Sequence, residues 1–376
     1  MKILFLSTGL TTGGAEVMLY NLLSKINRQK YQPSVISLMD KGRFGQAIEK
    51  LDIPVYSAGM NPGKPTIKAI TRTINLVKKV QPNLIQGWMY HGNLAAQAAS
   101  FLNGQNVPIL WSIHHSLYSL RSEKIPTQAI IRLGSFTSKA VAKIAYVSQK
   151  SQIEHQKIGY SKENSCVIPN GFDTSLLQPS AQIREQFRKS LNLPSESILI
   201  GSIARYHPMK DHANFLDAAK ILLADFPTAN FVLVGPEVDK NNPALTQQIK
   251  SLGIGDRVYL LGERTDIPQI TPALDILTSS SAFGEAFPLV IGEAMSCGVP
   301  CVATDVGDCA WIVGDTGQIV PPQDAAALAR GWQTILSLDS PQKQALGIAA
   351  RQRIIDFFSL DFVVSQYEKL YDNIFY

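Results

Sequence analysis

The chain is poor in cysteine, in long apolar runs and in metal-binding spacings. Its four cysteines, Cys166, Cys297, Cys301 and Cys309, are too few for a disulfide scaffold and show no paired metal spacing. Reduced structural cysteines of a cytoplasmic protein are the expectation. No segment reaches the roughly 18 uninterrupted apolar residues of a membrane-spanning helix. The opening apolar stretch runs only from Ile3 to Leu6, short of the about 7–15 residues of a secretory core. The 26 glycines and 21 prolines are scattered without a period, which excludes collagen-like and low-complexity chains. Charged residues are only 17% of the 376 against 45% hydrophobic, which excludes disorder and supplies a sizeable core.

The net charge of +5 hides an asymmetry. Residues 1–178 hold 20 Lys and Arg against 8 Asp and Glu, whereas the remainder holds 15 against 22. A basic half joined to an acidic half implies two domains with different partners. Within the basic half, Lys68, Arg72 and Lys79 share one helical face, and Arg132, Lys139 and Lys143 another. The second segment also carries an apolar stripe through Ile130, Leu133, Phe136 and Val141. A solvated face over a buried stripe is the plain expectation; the alternative is attraction to anionic lipid or a lipid-diphosphate acceptor. No nucleic-acid-binding module is recognisable.

Short β-branched runs alternate with helical patterns along the whole chain. Strand candidates in the first half are 2–7, 33–38, 53–58, 83–88, 107–114 and 143–148, with helices at 15–26, 64–80, 92–102 and 127–142. The second half repeats the pattern, with strands at 198–204, 230–235, 257–262, 275–280 and 300–304 and helices at 212–225, 243–252, 288–297 and 324–336. This alternation defines an α/β protein of two Rossmann-like, doubly wound parallel-sheet domains. The join falls in the Pro-, Gly- and Asn-rich stretch 168–180, giving domains 1–175 and 176–358. Ligands bind outside the carboxyl ends of such strands, so two domains of this kind facing each other place the site in a central cleft.

Three segments carry chemistry. Gly13-Gly14 follow the first strand, where glycines allow close approach of an anion to a helix N-terminus; a tight structural turn explains them equally well. Arg205 and Lys210 lie five apart after a second-half strand, spaced to clamp a diphosphate. A solvated loop is the competing explanation. In SSSAFGEAFPLVIGEAMSCGVPCVATDVGD (279–308), Glu285 stands in the loop before a helix opened by Pro288, and Glu293 about one turn inside it.

At this segment the sequence resembles the retaining glycosyltransferases of family 4, which have the GT-B architecture. The E-x7-E signature reads Glu285-AFPLVIG-Glu293, followed by GEAMSCGVPCVATDVGD and WIVGDTGQIVPP. The resemblance extends to TTGGAE, IPNGFD (168–173), the Arg205–Lys210 pair and LVG (233–235). It implies catalytic roles for Glu285, His114, Arg205 and Lys210, with His115 a competitor for the place of His114. Nucleotide-sugar contacts would come from Gly13, Gly14, Arg205, Lys210, Phe287, Leu289, Val290 and Glu293. Glu293 would accept from the ribose hydroxyls, Glu285 would hold a donor-sugar hydroxyl, and the two cations would neutralise the departing diphosphate. Ala286 and Ala204 stand where the family usually has glycine.

The resemblance further implies that helix 359–376 crosses back onto the first domain, anchored by Phe362, Tyr367, Leu370 and Phe375. It implies transfer from a UDP- or GDP-sugar to a hydroxyl of a glycan, lipid-linked or small-molecule acceptor. No cofactor and no metal is expected, because the DxD cation-binding pattern is absent. The expected location is the cytoplasm, with a peripheral place on the inner face of the cell membrane left open. A glycan phosphorylase, an epimerase and an inert sugar-nucleotide-binding protein are the alternatives, although no cofactor-lysine motif supports the first.

Overall fold

A computed structural model describes residues 1–11, 13–61, 66–102, 104 and 107–375. Residues 64 and 65 of the expected helix 64–80 and Thr12 of TTGGAE therefore lie outside the described residues. The chain divides into two compact units, Met1–Gly171 with Leu360–Tyr376, and Phe172–Ser359.

Unit 1 runs β1 (Lys2–Ser7), α1 (Gly14–Lys25), β2 (Gln32–Ser37), α2 (Gly42–Glu49), β3 (Val55–Ser57), α3 (Ile67–Val80), β4 (Leu84–Trp88), α4 (Met89–Leu102), β5 (Ile109–Ile113), α5 (Ile125–Thr137), β6 (Lys143–Tyr146), α6 (Gln149–Lys157) and β7 (Ser165–Val167). Its seven parallel strands are ordered β3-β2-β1-β4-β5-β6-β7. Helices cover both faces, so the strands read as unbroken apolar runs: Ile3, Leu4, Phe5 and Leu6 of β1 are all fully buried.

Unit 2 continues with α7 (Ala181–Ser190), β8 (Leu199–Ile203), α8 (His212–Leu222), β9 (Asn230–Val234), α9 (Pro243–Leu252), β10 (Val258–Leu260), β11 (Ile276–Ser279), α10 (Leu289–Ser296), β12 (Cys301–Thr304), α11 (Cys309–Val313), β13 (Gln318–Val320), α12 (Ala325–Leu336) and α13 (Ser340–Phe358). Its parallel sheet is ordered β10-β9-β8-β11-β12-β13. Trp332 of α12 is fully buried against Phe215 and Phe231, and its indole N–H donates to Thr278 Oγ1 at 2.8 Å.

The last helix, α14 (Leu360–Phe375), belongs to unit 1. Tyr367 and Leu370 are buried as expected, but Phe362 and Phe375 are exposed. The buried face runs instead through Val363, Val364, Tyr367, Leu370 and Tyr371, a helical spacing that leaves both phenylalanines off the contact stripe. Tyr371 donates to Gln86 Oε1 at 2.7 Å.

A second correction concerns α5. Leu133 and Phe136, expected beneath the basic face, are 52% and 81% exposed. The residues turned inward are Ile131 and Gly134, because Tyr160 packs on this turn: its hydroxyl donates to the Ile131 carbonyl, and a Cβ at Gly134 would lie 2.4 Å from it. Lys143 is not helical; it opens β6.

Candidate active site

The strand order of unit 2 reverses between β8 and β11, and such switch points open a crevice at the carboxyl ends of the strands. The loops that leave these strands, 204–211 and 280–288, are the segments carrying Arg205, Lys210 and Glu285. They are stitched together by backbone and side-chain bonds. The Ala282 N–H donates to the Met209 carbonyl at 2.8 Å, and Ser280 Oγ to the Lys210 carbonyl at 2.8 Å. Thr304 Oγ1 fastens the far side, donating to the Ser281 carbonyl at 2.6 Å.

Lys210 and Glu285 form an ion pair in this crevice, with Lys210 Nζ donating to Glu285 Oε1. The same oxygen accepts from Ser281 Oγ at 2.6 Å, and the Glu285 residue is buried. Burying two charges is tolerable only when they are paired and hydrogen-bonded, which this arrangement achieves for Glu285. Gly307 is needed here. Its φ is +63°, and a Cβ would fall 2.4 Å from the Glu285 carbonyl oxygen. Arg205 is exposed and makes no ion pair or side-chain hydrogen bond with a described residue, so its guanidinium is available to an anion.

Pro288 caps α10, and the first helical residues are Leu289 and Val290. Their N–H groups belong to the helix's orphan donors and carry the positive end of its dipole. Glu293 lies in the following turn, partly buried and without a hydrogen-bond partner among the described residues. Burial pushes its carboxyl up to about 7. The Phe287 ring packs with Phe172, Trp311 and Phe358 beneath α10, which leaves only its backbone for a ligand. Cys297, Cys301 and Cys309 are free and buried behind the site, their thiols pushed up by burial.

In unit 1 the sheet order reverses between β1 and β4. Gly13, extended at φ 167°, precedes α1, and both Gly13 and Gly14 are exposed. Trp88, closing β4, braces this turn through an indole N–H to the Ala15 carbonyl at 2.9 Å. Its ring stacks on His114 with centroids 4.4 Å apart. Burial pushes the His114 pKa down to about 4, with Asn170 opposing it, and neither ring nitrogen has a hydrogen-bond partner within bonding geometry among the described residues. His115, the competitor, is instead tied to Glu123 at 2.8 Å. Ser281 and Trp88 were not legible as site residues; each acts through contacts that no local spacing records.

Among the described residues no cluster of three His, Cys, Asp or Glu side chains could hold a metal ion. No helix among them is long and apolar enough to cross a membrane.

Two Rossmann-like parallel-sheet units are the architecture of the GT-B glycosyltransferases. The profile described as "Glycosyltransferase Family 4" matches residues 12–176 and that described as "Glycosyl transferases group 1" matches 183–353, so the chain belongs to glycosyltransferase family 4. It is 26% identical over 287 residues to N-acetyl-alpha-D-glucosaminyl L-malate synthase of Bacillus anthracis, covering 75% of this chain and 72% of that protein. It is 25% identical to the Escherichia coli UDP-Gal:alpha-D-GlcNAc-diphosphoundecaprenol alpha-1,3-galactosyltransferase, over 64% and 62% of the two chains. Among solved structures it resembles Anabaena HepE in complex with UDP, with a TM-score of 0.86, 26% identity, and 99% and 100% of the chains covered. HepE with UDP-glucose matches similarly, at 26% identity, a TM-score of 0.83, and coverage of 99% and 100%.

Proposed function

We propose that the chain is a retaining glycosyltransferase that moves a sugar from a UDP-sugar to a hydroxyl of a lipid-linked glycan acceptor. The observation that carries this reading is the buried Lys210–Glu285 pair beside the start of α10, with Glu293 unpartnered one turn further on. A structure in which HepE holds UDP and glucose, at 27% identity, supports UDP as the donor base.

In this mechanism Glu293 accepts from the ribose hydroxyls, and the Leu289 and Val290 amides hold the diphosphate. Arg205 and Lys210 stabilise the charge that grows on the leaving phosphate, the term that most lowers such barriers. The bond from the sugar's anomeric carbon to the phosphate oxygen breaks, its electron pair going to the phosphate. The acceptor hydroxyl attacks on that same face and passes its proton to the departing phosphate oxygen. Glu285 holds a donor hydroxyl and orients Lys210. Fixed cations and helix dipoles supply the charge stabilisation, so no metal is required.

A lipid-linked acceptor is favoured by the outer face of α5. Ile125 and Phe136 are each 81% exposed, and Phe101 of α4 is 84% exposed. Gln97 donates to the Thr137 carbonyl, which brings the ends of α4 and α5 together. Lys124, Arg132 and Lys139 of the same stretch of chain are exposed too. An apolar face bordered by cations fits an anionic bilayer surface. Calorimetric titration with UDP, GDP and ADP tests the donor reading: UDP binds most tightly if it holds, and equal or absent binding of all three overturns it.

A further inference from the structure

Helix α10 carries the Leu289 and Val290 amides and the Glu293 carboxyl of the proposed donor site, yet its interior holds Gly292. Glycine is the least favourable helix-interior residue after proline, so packing rather than propensity accounts for it. A Cβ at Gly292 would overlap Cε1, Cζ and Cε2 of Phe172. The rim of the Phe172 ring therefore lies on the bare backbone of α10, at the residue next to Glu293.

The ring has no room to withdraw. Phe172 is buried, and its N–H donates to the Phe358 carbonyl at 2.9 Å. Its ring stacks on Phe287 with centroids 6.2 Å apart, and Phe287 is closed in by Trp311 and Phe358 at 5.9 and 5.6 Å. The chain just beyond Phe172 holds the other end of the helix. Arg351 donates to the Leu177 and Thr174 carbonyls at 2.8 and 3.0 Å, and also to the carbonyl of Ser296, which ends α10. Ser296 Oγ donates back to the Gly292 carbonyl at 2.6 Å. Segment 172–177 thus fixes α10 at its middle and at its C-terminal end, and all of these residues belong to unit 2.

We propose that Phe172 is a positioning residue for nucleotide binding: its ring, seated on Gly292, sets where α10 holds the Leu289 and Val290 amides and the Glu293 carboxyl. A close-packed interior passes on the displacement caused by a single methyl group rather than absorbing it. Misplacing a binding group by about 1 Å costs up to about 100-fold. The inference rests on the donor reading above and adds which packing contact keeps that grip in register.

Paired substitutions in the full chain decide it. In calorimetric titration, Gly292→Ala weakens UDP by about tenfold or more, because its methyl pushes α10 off the ring. Adding Phe172→Leu to Gly292→Ala makes room for that methyl and returns the affinity to within about threefold of wild type. The backbone amide resonances of Leu289 and Val290 in the ligand-free protein follow the same order, displaced in Gly292→Ala and restored in the double variant. A merely structural contact would move the melting temperature and leave UDP affinity alone. Unaltered UDP affinity in Gly292→Ala overturns the proposal, and so does a loss that Phe172→Leu fails to restore. Should Gly292→Ala not fold, Phe172→Leu alone serves: the loosened contact weakens UDP by about threefold, and an unchanged affinity overturns the proposal. If the wild type does not bind UDP, the donor reading fails, and the amide resonances of the ligand-free variants still decide the role of Phe172.

Discussion

Glu293→Gln should make the protein more stable at alkaline pH while weakening its hold on nucleotide. In the folded chain burial lifts the Glu293 carboxyl to about 7 from an ordinary value of 4.5, and no side chain compensates the ionised form. Between these two values the folded state binds a proton that the unfolded chain has released, so stability falls as pH rises through this window and then levels off. At about 1.4 kcal/mol per pKa unit, the ionised carboxylate costs unit 2 on the order of 3 kcal/mol above pH 7. Glutamine preserves the shape and removes the charge. Calorimetric melting at pH 8 should therefore place the variant several degrees above wild type, by about 2–4 °C per kcal/mol for a unit of this size. At pH 4.5 the two should melt together. UDP binding at pH 8 should weaken by roughly 1.5–3 kcal/mol, through loss of a charge-assisted contact. A variant that is destabilised at pH 8, or stabilised equally at both pH values, would refute the reasoning.

Three further outcomes are expected. Lys210→Ala and Arg205→Ala should each lower kcat by about 100-fold or more, since leaving-group charge is greatest in the transition state; unchanged kcat in both would remove the clamp. Truncation before α14 removes the buried Val363, Tyr367 and Tyr371 and uncovers their partners in unit 1, which should lower the melting temperature; a melting temperature equal to wild type would contradict their place in the core. Replacing Arg132, Leu133 and Phe136 with serine should abolish binding to phosphatidylglycerol vesicles at low salt, checked by co-sedimentation, and spare turnover on a soluble acceptor. Equal sedimentation of the variant and wild type would refute the α5 surface.

The fold was legible because both sheets are parallel and covered on two faces, so β1, β5, β8 and β9 announce themselves as apolar runs. β7 and β13 escaped because three residues, SCV and QIV, carry no period. The phases of α5 and α14 were misread for another reason. Tyr160 against Gly134, and Tyr371 reaching Gln86, fix which face turns inward, and both contacts join residues distant in sequence. In the site, Glu285, Glu293, Arg205 and Lys210 lie in the two loops after β8 and β11 and in the helix that follows, so local sequence displays them. The pairing of Lys210 with Glu285 spans 75 positions, and the stacking of Trp88 on His114 joins two strands; neither leaves a local trace.

The most direct test follows the anomeric proton of the sugar released from UDP-α-glucose by nuclear magnetic resonance, in buffer containing a chelator. The account predicts α-glucose as the first-formed anomer, at a rate that added divalent cation does not change and that Lys210→Ala abolishes. β-Glucose appearing first, or release that depends on added cation, would contradict a same-face displacement held together by Arg205, Lys210 and the start of α10.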